Sequence, residues 1–291
     1  MSYTLYKSLG IPASTTSVPF IDININIDTL NFIDPMRIMI HNKDPFIADM
    51  HTYITDYFDW LIQAIHSWSK WKAMYYLSNL EETNTASWLI HLWYSKNKWG
   101  KSIWPTKAEK LYEALCNSEA VKTGKLKDIE DIALMIEDID KDNISDIIAN
   151  VTWELLLKYT QRAYMEMGWT KFVHRVMKYW DNEKMLWTKK MVSLPDIYSV
   201  WVLFVPKIIA GKSLLLNYRR AYQLGVLSNE QKIHYNAKTA LCRLLQDGTK
   251  VAPYKKSLMP LISSKKSDVW SYLLNNILVL DRLKSDIIHR K

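Results

Sequence analysis

Asp142, Asp146, Glu154 and Lys207 are the residues whose types could act together on a phosphate. Carboxylate oxygens suit a hard cation such as Mg²⁺, and an ammonium can stabilise charge developing on a phosphoryl group. Asp142 and Asp146 are four residues apart, which places them on one face of a helix, where both can ligate the same metal. With Asp142 and Asp146 as metal ligands and Asp146, Glu154 and Lys207 as catalytic groups, the chemistry would be metal-dependent phosphodiester cleavage. A second chemistry needs no catalyst. In K-N-K-W-G-K, residues 96–101, Lys96, Lys98 and Lys101 surround Trp99. Cations interleaved with an aromatic ring can track a phosphate backbone and stack a base.

These residues need elements to hold them. Residues 145–168 carry Ile147, Ile148, Val151, Leu155, Tyr159 and Ala163 at three- and four-residue steps, the period of a helix. Asp142 or Asn143 can cap its start, Asp146 falls in its first turn, and Gly168 can stop it. Asp146, Asn150, Glu154 and Gln161 lie on or near one stripe of that helix, either solvated or lining a site. Residues 199–205 are a near-continuous apolar run of strand length that ends in Pro206-Lys207. A strand closing on Lys with an Asp upstream is similar to the outline of the PD-(D/E)xK nucleases. This chain departs from it at Val205, where that pattern has Glu or Asp, so the second carboxylate must come from Glu154 or Asp142.

Other motifs are weaker. Asp138, Asp140, Asp142 and Asp146 have the spacing of an EF-hand loop, but Asn143 stands where Gly is needed and Ala149 where a bidentate Glu is needed. An acidic approach to a positive helix end explains the run more simply. The two G-K-S triplets, at Gly100 and Gly211, lack the upstream Gly of a phosphate-binding loop. Residues 20–35 alternate Ile21, Ile23, Ile25 and Ile27 with Asp22, Asn24, Asn26 and Asp28, so they read as a strand whose polar face is either a metal site or a charged edge. His91 and His174 read as structural histidines. The aromatic stripe of residues 45–80 reads as core, in one long helix or two with a break near 67–69.

The rest of the chain reads as helices at 107–118, 128–137 and 171–180, with a strand at 86–95. The tail reads as helices over 212–225, 228–246 and 266–288. Ser228 and Gln231 form a capping box there, and the last helix has a wide apolar face that must pack on something. The fold class expected is predominantly helical α+β: a small mixed sheet packed by helices in a core domain of residues 1–210, with a helical extension at 211–291 that can be continuous with it.

The composition fits this. Apolar residues make up 48% of 291, glycines number only 7, and the net charge is +8, which favours anionic partners. Two distant cysteines without metal spacing, no charged and apolar leader, and no long apolar run point to a cytoplasmic protein with no membrane partner.

Three stretches, F-I-D-I-N-I-N-I-D-T-L-N-F-I-D-P at 20–35, D-N-I-S-D-I-I-A-N at 142–150 with K-Y-T-Q at 158–161, and L-P…V-L-F-V-P-K at 194–207, together resemble a family of uncharacterised bacterial proteins associated with antiphage-defence and mobile-element loci. The resemblance implies a bacterial defence setting and no particular reaction. The function expected is a defence component, possible as an oligomer, that binds nucleic acid (DNA or RNA) or another defence-system protein. The alternative is an Mg²⁺-dependent nuclease built on Asp142, Asp146, Glu154 and Lys207.

Overall fold

A computed structural model describes residues 4–289, apart from 13, 14, 16, 26–28, 81–103, 125, 127, 137, 138, 140, 198 and 199. The chain runs α1 (Leu5–Ser8), β1 (Phe32–Ile33), α2 (Pro35–Ile40), α3 (Pro45–His66), α4 (Lys70–Ser78), α5 (Trp104–Asn117), α6 (Glu119–Lys122), α7 (Ile129–Met135), α8 (Lys141–Val151) and α9 (Trp153–Glu166). A hairpin of β2 (Phe172–Asp181) and β3 (Leu186–Ile197) follows, then β4 (Val200–Trp201), a 3₁₀ turn at Lys207–Ile209 and β5 (Ala210–Gly211). The tail holds α10 (Tyr218–Arg220), α11 (Leu227–Asn236), β6 (Arg243–Leu244), β7 (Lys250–Val251), α12 (Lys255–Leu258), α13 (Lys266–Asn275) and α14 (Ile277–His289). The fold is predominantly helical α+β, with small antiparallel sheets packed by helices, as the sequence leads one to expect.

The centre is α3. Asp44 caps it by accepting from the N–H groups of Phe46 and Ile47 (2.9 and 3.3 Å), and Pro45 occupies the first turn, where no N–H is missed. Ile47, Met50, Ile54, Tyr57, Phe58 and Leu61 follow at helical spacing, and all are buried. The aromatic stripe is core only in part. Tyr57 meets Tyr76, Trp180 and Trp187 edge-on, at 5.9, 4.8 and 6.1 Å. Trp68 and Trp71, by contrast, are 82% and 78% exposed. The break comes at Ser67–Ser69 as read: Trp68 takes φ +55°, which turns it out of helical phase, and Ser69 caps α4.

Residues 145–168 are not one helix. The chain breaks at Thr152, whose backbone (φ −96°, ψ 10°) leaves the helical region while its hydroxyl donates to Ile148 O at 2.7 Å. Asp142 lies in the first turn of α8, and Asp146 therefore in the second. Gly168 does end the run, at φ +83°, with Trp169 N–H returning to Tyr164 O at 3.2 Å.

The reading of 171–180 as a helix is overturned. The stretch is β2, paired antiparallel with β3 in a register that sets Val176 opposite Met191 and Trp180 opposite Trp187. The strand read at 20–35 does not form over residues 20–25: Ile23 and Ile25 are buried, but the stretch is joined to its neighbours by isolated bridges (Thr4 with Asn24, Phe20 with Pro206). On their polar side the Asp22 carboxylate accepts from Tyr6 N–H at 2.8 Å, and the Asn24 backbone N–H donates to the Thr29 hydroxyl at 2.8 Å. Asn26 and Asp28 lie outside the described residues, as do the strand read at 86–95, His91, Asp138 and Asp140.

The tail also differs. A single continuous helical run, with a π-helical stretch at Ala221–Val226, replaces the break expected before 228, so Ser228 is interior and caps nothing. The 228–246 helix stops at Asn236, and a short β6–β7 hairpin occupies 243–251. The last helix is broken at Asn276. Its apolar face, Val269, Trp270, Leu273, Leu280, Leu283 and Ile287, is buried. Beside it, Lys284 reaches Asp128 and Asp131 at 2.7 Å and Glu130 at 3.5 Å at the start of α7.

Candidate nucleic-acid interface

Among the described residues the carboxylates proposed for phosphodiester chemistry form no metal-holding group. Glu154, in the first turn of α9, is turned toward β3: Lys190 Nζ lies 2.5 Å from its Oε1 and Lys158 Nζ 3.4 Å. Lys190 also lies 4.2 Å from the Tyr179 ring centroid. Two ammonium groups therefore compete with any cation for this carboxylate. Asp142 and Asp146 on α8 are half-buried and already engaged by other groups. Among the described residues no three His, Cys, Asp or Glu side chains are grouped to hold a metal ion, so the set of Asp142, Asp146 and Glu154 expected for Mg²⁺ does not form. Lys207 is exposed in the 3₁₀ turn, where its N–H donates to Pro19 O at 2.8 Å and its Nζ lies 5.5 Å from the Tyr6 ring centroid.

The rest of the polar stripe is structural glue. Asn150 is fully buried and donates to Leu80 O at 2.9 Å. Ser145 accepts from Ile33 N–H at 2.9 Å, and Gln161 donates to Ser193 O at 2.7 Å, which ties the helix to β1 and to the hairpin. His174 does meet a serine, its Nδ1 lying 3.1 Å from Ser193 Oγ, but on an exposed strand face.

The basic turn read as a nucleic-acid contact, with Lys96, Lys98, Trp99 and Lys101, lies outside the described residues. A larger basic surface stands elsewhere. Residues 212–266 hold eleven Lys and Arg against two carboxylates, Glu230 and Asp247. These residues build one lobe. Gln231 donates to Pro253 O at 2.6 Å, Arg243 to Ala252 O at 2.9 Å, Lys250 to Lys238 O at 2.9 Å, and Tyr222 to Ile262 O at 2.9 Å. Lys232, Lys238, Lys250 and Lys256 are exposed, and among the described residues none has a carboxylate partner.

Glu230 cannot offset them all, because it accepts from the Tyr272 hydroxyl at 2.6 Å and lies 3.9 Å from His234. Burial of that phenol, beside Glu230, pushes its pKa up to about 12. Asp247 sits in the β6–β7 turn, where the Thr249 N–H holds its carboxyl below the usual range. Aromatic rings are interleaved with the cations: Arg243 lies 3.9 Å from the Tyr254 ring centroid, and Lys238 3.5 Å from that of Tyr235. Tyr254 is 60% exposed.

Such a surface can neutralise several phosphates and offer ring faces for stacking. A net charge taken over the whole chain hides it. Counting charge segment by segment would have found it, since residues 212–266 alone carry an excess of nine against eight for the chain.

No curated protein and no solved structure matches this chain. A family match does exist, and it stops at residue 217, just before α10 and most of the basic lobe. Because residues 10–217, 208 of the chain's 291, match the family described as Domain of unknown function (DUF8370), the chain belongs to that family.

Proposed function

We propose that this protein binds nucleic acid through the basic lobe of residues 212–266, in the bacterial defence or mobile-element setting that the three sequence stretches suggest. The observation that carries the reading is the excess of nine positive charges in that segment, with four exposed lysines that no carboxylate neutralises. Lysines that displace the counterions condensed on a phosphate backbone bind it with a strong dependence on salt. Tyr254 and Tyr235, each already beside a cation, supply faces on which unpaired bases stack, so single strands are favoured over duplex.

The test is fluorescence anisotropy with labelled single-stranded DNA, single-stranded RNA and duplex, each across a range of salt. Binding that weakens linearly on a log–log salt plot, and that falls when Lys232, Lys238, Lys250 and Lys256 become Gln, supports the reading. Affinity indifferent to those four substitutions refutes it.

A second reading, a protein partner seated on the same lobe, is favoured by Leu244 and Leu261, 67% and 64% exposed. It predicts that Leu244→Ser and Leu261→Ser abolish partner binding and leave nucleic-acid affinity intact.

A further inference from the structure

Parts of the stretches 20–35, 158–161 and 194–207 meet beside a cleft whose lining residues all lie outside 212–266. Phe20 stacks on Phe204 at 4.3 Å, Thr160 Oγ1 accepts from Phe204 N–H at 2.8 Å, and Ile21 N–H donates to Val205 O at 3.0 Å. These bonds draw residues 17–19, 159–162 and 206–208 around a cavity of about 410 Å³, together with Asp44, Phe46 and Ile47 at the start of α3. Its volume falls within the range of small-molecule sites, and its walls are apolar with a few polar groups, the usual composition of such sites.

Three features define what fits. First, two cations line the cleft, Lys207 and Arg162; among the described residues Lys207 has no carboxylate partner and Arg162 only a 3.8 Å contact with the exposed Glu166. The one lining carboxylate, Asp44, is committed to the N–H groups of Phe46 and Ile47. The balance favours an anion. Second, Phe46 and Tyr159 present tilted rings 5.2 Å apart, beside Val18 and Pro19, a wall suited to a flat ring. Third, the Tyr159 hydroxyl is buried and makes no hydrogen bond. Burial pushes it up to about 12, the Arg162 charge opposing that rise, and both residues line the cleft.

We infer that this cleft binds a nucleoside monophosphate, with its phosphate taken by Lys207 and Arg162 and its base set against Phe46 and Pro19. Inorganic phosphate alone leaves the apolar wall unused, and an uncharged nucleoside leaves both cations unused. The inference does not rest on the nucleic-acid reading, because every residue in it lies outside the basic lobe.

Isothermal titration of the full chain with AMP, CMP, GMP and UMP in turn, and with inorganic phosphate and adenosine, tests it. The expected result is saturable one-to-one binding of at least one nucleotide, at least tenfold tighter than phosphate or adenosine. Lys207→Gln and Arg162→Gln should each weaken that binding at least tenfold with the thermal melt unchanged. The chain with Lys232, Lys238, Lys250 and Lys256 changed to Gln should bind as the unaltered chain does, which separates this site from the lobe. Absence of saturable binding by all four nucleotides, equal binding of phosphate, or indifference to both cleft substitutions overturns the inference.

Discussion

The body of the protein and its basic lobe use charge in opposite ways. Outside residues 212–266 the chain holds 27 Lys and Arg against 28 Asp and Glu, and many of these are spent on each other. Glu154 is clasped by Lys158 and Lys190, Asp196 by Lys171 at 2.8 Å, Asp181 by Lys184 at 2.9 Å, and Lys284 by three carboxylates. Inside the lobe there are eleven cations for two acids, and among the described residues the exposed Lys232, Lys238, Lys250 and Lys256 have no carboxylate partner. Paired charge positions elements, whereas unpaired charge on a surface is left for a ligand. A stretch with acidic residues at suggestive spacing, such as 142–154, is therefore weaker evidence of function here than a stretch with almost none.

The comparison is broken most sharply at Lys284. Lys284→Ala leaves Asp128, Glu130 and Asp131 facing one another beneath α14, and should destabilise the chain by roughly 3–5 kcal/mol in urea unfolding. Changing Lys232, Lys238, Lys250 and Lys256 together to Gln should leave the urea midpoint where it is and cost roughly a hundredfold in nucleic-acid affinity at low salt, with a shallower salt dependence. If the lobe variant unfolds early or the Lys284 variant does not, the division of labour is wrong. Tyr254→Ala probes stacking alone. It should weaken single-strand binding by about 1 kcal/mol, near fivefold, and leave the salt slope unchanged.

A last effect concerns pH. Burial pushes Glu130 up to about 8 and Asp131 up to about 6 against the pull of Lys284, so the folded chain holds protons that the unfolded chain has lost. Their contribution to stability therefore falls as pH rises from about 4.5 to 8. Lys284, whose pKa is raised further by its three partners, stays charged throughout that window and does not offset the trend. The melting temperature should drop by a few degrees between pH 5 and pH 8, and Glu130→Gln should flatten that slope.

What sequence determined by itself was local. The caps at Asp44 and Gly168, the break at 67–69 and the helical phase of α3 depend on residues within a turn or two of one another, and their chemistry acts before the chain folds back. The charge excess of the lobe was equally present in the sequence, though visible only when counted by segment. Tertiary structure decided the rest. Residues 171–180 alternate poorly enough to pass for a helix, and they are a strand because β3 supplies hydrogen-bond partners and Trp187 to set against Trp180. Glu154 became an ion-pair partner because Lys190, 36 residues away, was brought to it, and Lys207 came to line one cleft with Arg162 where Phe20 stacks on Phe204. Spacing along a chain places residues on one face of one element; which element faces that one is decided by pairing and burial between segments far apart.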